Sequence, residues 1–263
     1  INVTPSEPSM SHASANNSRT ANAEEIARFS AMAEKWWDPN GAMKPLHKFN
    51  PIRLQLLRDN IAAHLGRDAN QLDVLKDIEI IDIGCGAGLL SEPLARMGAK
   101  MTSIDAAENN IEVAKVHAAQ SGLAIDYRNC TPEMLVDEGK QFDIVLNMEV
   151  IEHVDDPQFF MQACAALLKP GGLMFVATLN RTIKSLALAK FGAEYVLRWL
   201  PAGTHDWRKF VKPSEMSGFL RGAGLDLVDI TGVAYNPIND KWSVAPRDLD
   251  INYMVIAQKP SGA

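Results

Sequence analysis

The chain has 263 residues, 47% of them hydrophobic, enough to bury one substantial core, and no run approaches the length of a membrane-spanning helix. Its 26 Lys and Arg against 32 Asp and Glu give a net charge of -6 with no basic cluster, which argues against a nucleic-acid substrate. Cys85, Cys130 and Cys164 are far apart and form no C-x-x-C pair, so they suggest neither a disulfide framework nor a zinc site and fit a reducing setting.

Residues 1–22, rich in Ser, Asn, Ala and Pro, read as a disordered tail, and residues 23–263 as a single domain. From Glu24 to Trp37, helical spacing of Ile26, Phe29, Met32, Ala33 and Trp36 predicts a helix that stops at Asp38-Pro39-Asn40-Gly41. A second helix is predicted from Pro51 to Leu65 with Pro51 in its first turn, so that residues 23–66 form an N-terminal helical extension. Strands at 78–83, 101–104, 124–128, 142–148 and 172–178 then alternate with helices near 88–97, 107–121, 132–138 and 156–168. That alternation predicts an α/β fold, a mostly parallel sheet with helices on both faces and ligands at the carboxyl ends of the strands. Asp82, Asp105 and Met148 fall at those ends. Lys169-Pro170-Gly171-Gly172 stops a helix and turns the chain into the next strand.

Past Asn180 the pattern breaks into an insertion over 180–211. There Leu186, Ala189, Ala193, Val196, Leu197 and Leu200 share one helical face, with Lys190, Glu194 and Arg198 on another. An amphipathic helix is expected, read from composition as a lid packed on the domain's own core. Strands near 225–230 and 252–258 are expected to close the sheet.

The first predicted strand runs into Gly84-Cys85-Gly86-Ala87-Gly88, where glycines let the backbone turn sharply and approach a nucleotide-like ligand. A carboxylate at Asp82 would repel a dinucleotide's pyrophosphate but attract the ammonium and sulfonium of S-adenosylmethionine. Asp105, 21 residues after Gly84, ends the second strand where a carboxylate can bind ribose hydroxyls; taken alone, it reads equally well as a helix cap. After the fourth strand, Glu149, Glu152 and His153 would share a face at i, i+3 and i+4 if the chain turned helical at once. Such a trio could hold Mg²⁺, or the carboxylates could be solvated at a helix start with His153 as an orienting group. Met148 at the strand end could contact an adenine. Arg53 suits a carboxylate through a two-pronged contact, and a surface charge is the plainer reading. His47 lies just ahead of it, and His205 with Asp206 is either an acid/base pair or a polar turn.

These segments resemble the class I S-adenosylmethionine methyltransferases with their Rossmann-like seven-stranded sheet, and more closely the O-methyltransferases of ubiquinone biosynthesis. The matching stretches include Phe29 to Asp38 with its paired tryptophans, Lys44-Pro45-Leu46-His47, Asn50 to Arg53, Asp82 to Gly88, Met148-Glu149, Glu152-His153, Thr178 to Arg181, Gly203 to Asp206 and Tyr235-Asn236-Pro237. The resemblance implies that Arg53, Gly84, Asp105 and Met148 contact S-adenosylmethionine, with Asp82 and Gly86 in the same loop. It further implies a Mg²⁺ site of Glu149, Glu152 and His153, with His153 a base or a metal ligand. Polyprenylated phenols and catechols are the implied substrates, other ubiquinone-biosynthesis enzymes the implied partners, and a membrane lipid surface the implied dock for residues 183–200. With Glu24-Glu25 and no Arg-rich leader, the expected location is cytoplasmic, peripheral on the inner membrane of a bacterium. Two rival readings stand beside this one: a nicotinamide-dependent oxidoreductase, disfavoured by Asp82, and a non-catalytic membrane-bound module.

Overall fold

The computed structural model describes residues 22–262 except 31, 32, 42, 188–205 and 237. Eight strands form one sheet: β1 (Glu79–Ile83), β2 (Lys100–Asp105), β3 (Asp126–Asn129), β4 (Phe142–Met148), β5 (Leu168–Leu179), β6 (Asp226–Asn236), β7 (Lys241–Ala245) and β8 (Asn252–Gln258). Their spatial order is β3-β2-β1-β4-β5-β8-β6-β7. β1 to β5 pair in parallel, and β8, β6 and β7 complete the sheet antiparallel. The order reverses at β1, whose neighbours are β2 and β4, and this switch point opens the crevice in which α/β proteins bind ligands.

The helices are α1 (Ala23–Ser30), α2 (Lys44–Leu65), α3 (Ser91–Arg96), α4 (Glu108–Gln120), α5 (Pro132–Asp137), α6 (Pro157–Ala166), α7 (Ile183–Ala187) and α8 (Pro213–Gly222). Both sheet faces are covered, which is why the central strands are apolar on both sides. On one face Ile81, Val145, Val176 and Val255 pack with Phe160, Cys164 and Leu220 of α6 and α8. On the other, Ile80, Ile144, Phe175 and Ile256 pack with Leu57 and Ile61 of α2 and Leu94 of α3. All three cysteines are free and buried.

Four local expectations need revision. The first helix ends at Ser30, and a short 3₁₀ turn at Ala33–Lys35 leads to Trp36 and Trp37. α2 begins at Lys44 rather than Pro51: Pro45 takes the first-turn position, and Pro51 lies inside the helix. β5 already starts at Leu168, so Pro170-Gly171-Gly172 lies within it, and its register against β4 shifts between Phe142 and Ile144. To the seven strands expected, β7 adds an eighth, an edge strand paired with β6. The tail up to residue 21 and the amphipathic run from Ala189 to Leu200 lie outside the described residues.

Candidate active site

The glycine turn at the end of β1 is tightly enclosed. Gly84 and Gly86 have φ of +71° and +55°, and a Cβ on the first would meet Val150, on the second the Trp36 ring. Both positions therefore exclude side chains on backbone and on spatial grounds. The turn is tied to β2 by the Gly84 and Cys85 N–H groups, which donate to the Ile104 carbonyl at 2.8 and 3.0 Å.

Asp105 joins turn and helix. One carboxylate oxygen accepts from the Gly86 N–H at 2.9 Å, the other from Ala107 N–H at 2.8 Å and Asn110 Nδ2 at 3.2 Å. Burial raises its carboxyl above the usual range against the pull of those bonds. Asp82, only 2% exposed, lies beneath the loop rather than open to it. Ser103 Oγ donates to Ser91 Oγ at 2.9 Å, and Ser91 Oγ donates to Asp82 at 2.6 Å. Burial pushes the Asp82 carboxyl up to about 7 despite the Ser91 bond.

The segment ahead of α2 straps the turn. Trp37 Nε1 donates to the Ala87 carbonyl at 3.0 Å, and its ring stacks on His117 at 3.4 Å between centroids. His117 Nδ1 lies 2.6 Å from the Glu92 carboxylate, His47 Nε2 lies 2.9 Å from the Trp36 carbonyl, and Asn50 Nδ2 donates to Leu89 O at 3.4 Å. The tandem tryptophans before a helix stop were the available signal for this strap, but their partners lie about fifty or more residues away and could not be read.

Beyond β4 the expected helical face does not form. Glu149 takes a left-handed φ of +60°, and a 3₁₀ turn follows only at Ile151–His153. The three side chains consequently find three different partners. Glu149 pairs with Arg53, which is 4% exposed and whose guanidinium carbon lies 3.9 Å from the Phe49 ring centroid. Glu152 accepts from Thr178 Oγ1 at 2.9 Å through one oxygen, while its other oxygen is buried without a hydrogen-bond partner. His153 Nδ1 lies 3.2 Å from Glu25 of α1. Burial, with Glu149 nearby, raises the Glu152 carboxyl to about 7. For His153, burial opposes protonation, but Glu25, Glu152 and Glu149 together outweigh it and raise its pKa. Among the described residues no three His, Cys, Asp or Glu side chains are grouped to hold a metal ion. As arranged, this donor set does not fit Mg²⁺, which demands an octahedron of oxygens that a guanidinium-bound Glu149 cannot help complete.

Asn147, at this end, was not singled out from sequence. Asn147 is fully buried with neither amide atom paired, and Arg53 keeps an unpartnered, buried Nε. A polar residue between Leu146 and Met148 at a strand end was the signal for Asn147. Met148 packs half-buried beside the α2 face of the sheet. Next to these residues a cleft is lined by Phe49, Glu149, Thr178, Val233, Tyr253 and Met254. Asp206 caps a polar turn by accepting from Arg208 N–H at 3.0 Å, and His205 lies outside the described residues.

A parallel sheet with its switch point at a glycine turn, an acid ending the second strand and a strap across the loop define a class I methyltransferase. Solved structures of similar fold include magnesium protoporphyrin IX methyltransferase from Synechocystis PCC 6803 with bound SAM (TM-score 0.57, 16% identity, 91% of this chain and 98% of that one). A SAM-dependent methyltransferase from Thermotoga maritima is also similar (TM-score 0.59, 18% identity, 90% and 99%). A methyltransferase-domain family model matches residues 19–230. Ubiquinone biosynthesis O-methyltransferases from Chelativorans sp. (strain BNC1) and Parvibaculum lavamentivorans are 57% and 59% identical to the chain. They cover 92% and 89% of it, and 95% and 92% of their own lengths are matched. The chain belongs to the ubiquinone biosynthesis O-methyltransferase family.

Proposed function

We propose that the protein transfers a methyl group from S-adenosylmethionine to hydroxyl groups of polyprenylated phenol or catechol intermediates of ubiquinone biosynthesis, working as one catalytic unit from residue 23 onward. The observation that carries this reading is the 57% identity along 92% of the chain to an O-methyltransferase of that pathway. The site fits the cofactor: a buried guanidinium with an unpartnered Nε is suited to its carboxylate, and the glycine turn to close backbone approach.

The cofactor supplies an electrophilic methyl group. The protein's part is to position the acceptor oxygen in line and remove its proton, because a free phenol titrates near 10. His153, backed by Glu25, is the proposed base, and Asp105 with the Gly84 and Gly86 backbone the proposed ribose-side contacts. Met148 completes the proposed cofactor surroundings, with Asp82 acting on them from beneath the loop. A Mg²⁺ requirement would demand that Glu149 leave Arg53 and join Glu152 and His153. Methyl transfer from labelled S-adenosylmethionine to a short-chain prenylated catechol, read by mass spectrometry, tests the assignment. Activity that survives chelation favours His153 as base, loss restored by Mg²⁺ favours the metal, and no transfer with cofactor bound refutes the acceptor class.

Lipid-tailed substrates favour a peripheral position on the cytoplasmic membrane, with residues 183–200 as the proposed dock and other enzymes of the pathway as partners. Among the described residues no helix is long and apolar enough to cross a membrane. Flotation with liposomes, before and after changing Leu186, Val196 and Leu197 to Asp, tests the dock. Equal flotation would remove it.

A further inference from the structure

We infer that the carboxylate of the bound cofactor and the carboxylate of Glu149 compete for Arg53, so that cofactor binding releases Glu149 into the neighbouring cleft. The inference rests on the proposed placement of the cofactor's carboxylate at Arg53.

Arg53 is held more deeply than Glu149. The arginine side chain is 5% exposed and pinned against Phe49, whereas the glutamate side chain is 24% exposed and sits on a left-handed residue between β4 and the following turn. The guanidinium presents further donors, among them a buried Nε with no partner, so an incoming carboxylate can engage it from two sides.

The geometry then favours exchange over addition. A two-pronged carboxylate contact through Nε also uses the adjacent Nη2, the nitrogen that Glu149 holds, so a carboxylate bound there takes the place of Glu149. Glu149 already lines the cleft with Phe49, Thr178 and Met254, so the freed carboxylate turns toward it. Its charge is thus delivered there only when the methyl donor is in place, which makes Glu149 a positioning residue whose state reports cofactor occupancy.

Calorimetric titration separates the possibilities. The ligands are S-adenosylhomocysteine and its decarboxylated analogue, which keeps the ammonium and lacks the carboxylate. They are titrated into the full chain and into Glu149→Gln, with Glu149→Asn as a second variant because Asn accepts a left-handed backbone readily. Removing the competitor is expected to tighten S-adenosylhomocysteine about tenfold, the scale of a charge-assisted hydrogen bond, and to leave the analogue unchanged. Unchanged or weaker S-adenosylhomocysteine binding in both variants would overturn the exchange, as would equal gains for the two ligands. An unmodified protein that binds neither ligand would remove the cofactor placement and the exchange with it. Binding with no effect of the variants removes the exchange alone.

Discussion

The ends of β1 and β2 and the ends of β4 and β5 both present buried acids to the same crevice, yet they are finished differently. At β1 and β2, Ser91 serves Asp82, and two backbone N–H groups with Asn110 serve Asp105. At β4 and β5, one oxygen of Glu152, both amide atoms of Asn147 and the Nε of the Arg53 that holds Glu149 have no partner. The unpartnered polar atoms near the glycine turn include Trp36 Nε1 and Tyr127 OH, on aromatic side chains lying close over it, and Asn110 Oδ1, whose amide nitrogen serves Asp105. A buried polar atom without a partner costs about 1–3 kcal/mol. The difference teaches that the nucleotide end, at β1 and β2, bonds its carboxylates internally, whereas the end at β4 and β5 leaves a carboxylate oxygen, an amide and a guanidinium nitrogen unpaired.

If that division is real, substitutions at the two ends should separate chemistry from cofactor binding. His153→Ala should lower kcat by about 100-fold or more, the usual scale for losing a general base, with the dissociation constant of S-adenosylhomocysteine unchanged. A parallel loss of cofactor affinity would erase the boundary between the ends. Gly86→Ala should do the reverse. Its Cβ must enter the Trp36 ring from a φ of +55°, a clash the unliganded loop already bears, so the variant should lose on the order of 3 kcal/mol of folding stability and, as the loop shifts to relieve it, bind S-adenosylhomocysteine more weakly. Calorimetry showing undiminished affinity would mean that Trp36 yields freely and the close approach is not needed.

The proton held by Glu152 beyond β4 can be weighed by stability against pH. Glu152 has its carboxyl raised from 4.5 to about 7, so the folded protein binds that proton more tightly than the unfolded chain. Its contribution is complete below about pH 4.5 and is lost as pH rises to about 7, by roughly 3 kcal/mol at most. Glu152→Gln should remove this share of the slope in urea denaturation between pH 5 and 8. A variant with the full slope of the parent would assign the proton elsewhere.

How far the sequence foretold this comparison depends on the distance over which each feature is decided. The five parallel strands were legible to within a few residues at most ends because β1, β4 and β5 carry apolar runs bounded by turns and β2 and β3 fall between helices in the alternation, and the glycine turn with Asp105 was legible from spacing alone. The start of α2 was not. Both Pro45 and Pro51 suit a first turn, and what selects Pro45 is the burial of Phe49, Asn50 and Arg53 against the rest of the molecule. The trio after β4 failed for a similar reason. Its helical spacing assumed an immediate turn, while pairing with Arg53, 96 residues away, goes with a left-handed Glu149. β7 is an edge strand paired on one side only, and its half-exposed alternation carries less signal than the buried runs. The glycine turn and Asp105 join residues near in sequence and were readable as a unit, whereas the tryptophan strap over that turn and the pairing of Glu149 with Arg53 join remote residues and were not.

The smallest expected effect tests whether the nucleotide end is self-supporting. Ser91 donates to Asp82 and holds its carboxyl lower than burial alone would set it. Ser91→Ala should destabilise the protein by about 1–2 kcal/mol at pH 8, where Asp82 is ionised and most needs the donor. At pH 5 the native carboxyl is protonated, below its value of about 7, and the penalty should be smaller. Because the folded value rises further without the serine, the loss of stability with pH should continue beyond the point where the parent levels off. Ser103→Ala, one step back along the same chain, should have a weaker effect of the same sign, since it acts on Asp82 only through Ser91. Equal penalties at both pH values would mean that Ser91 matters for packing rather than for the charge beneath the loop.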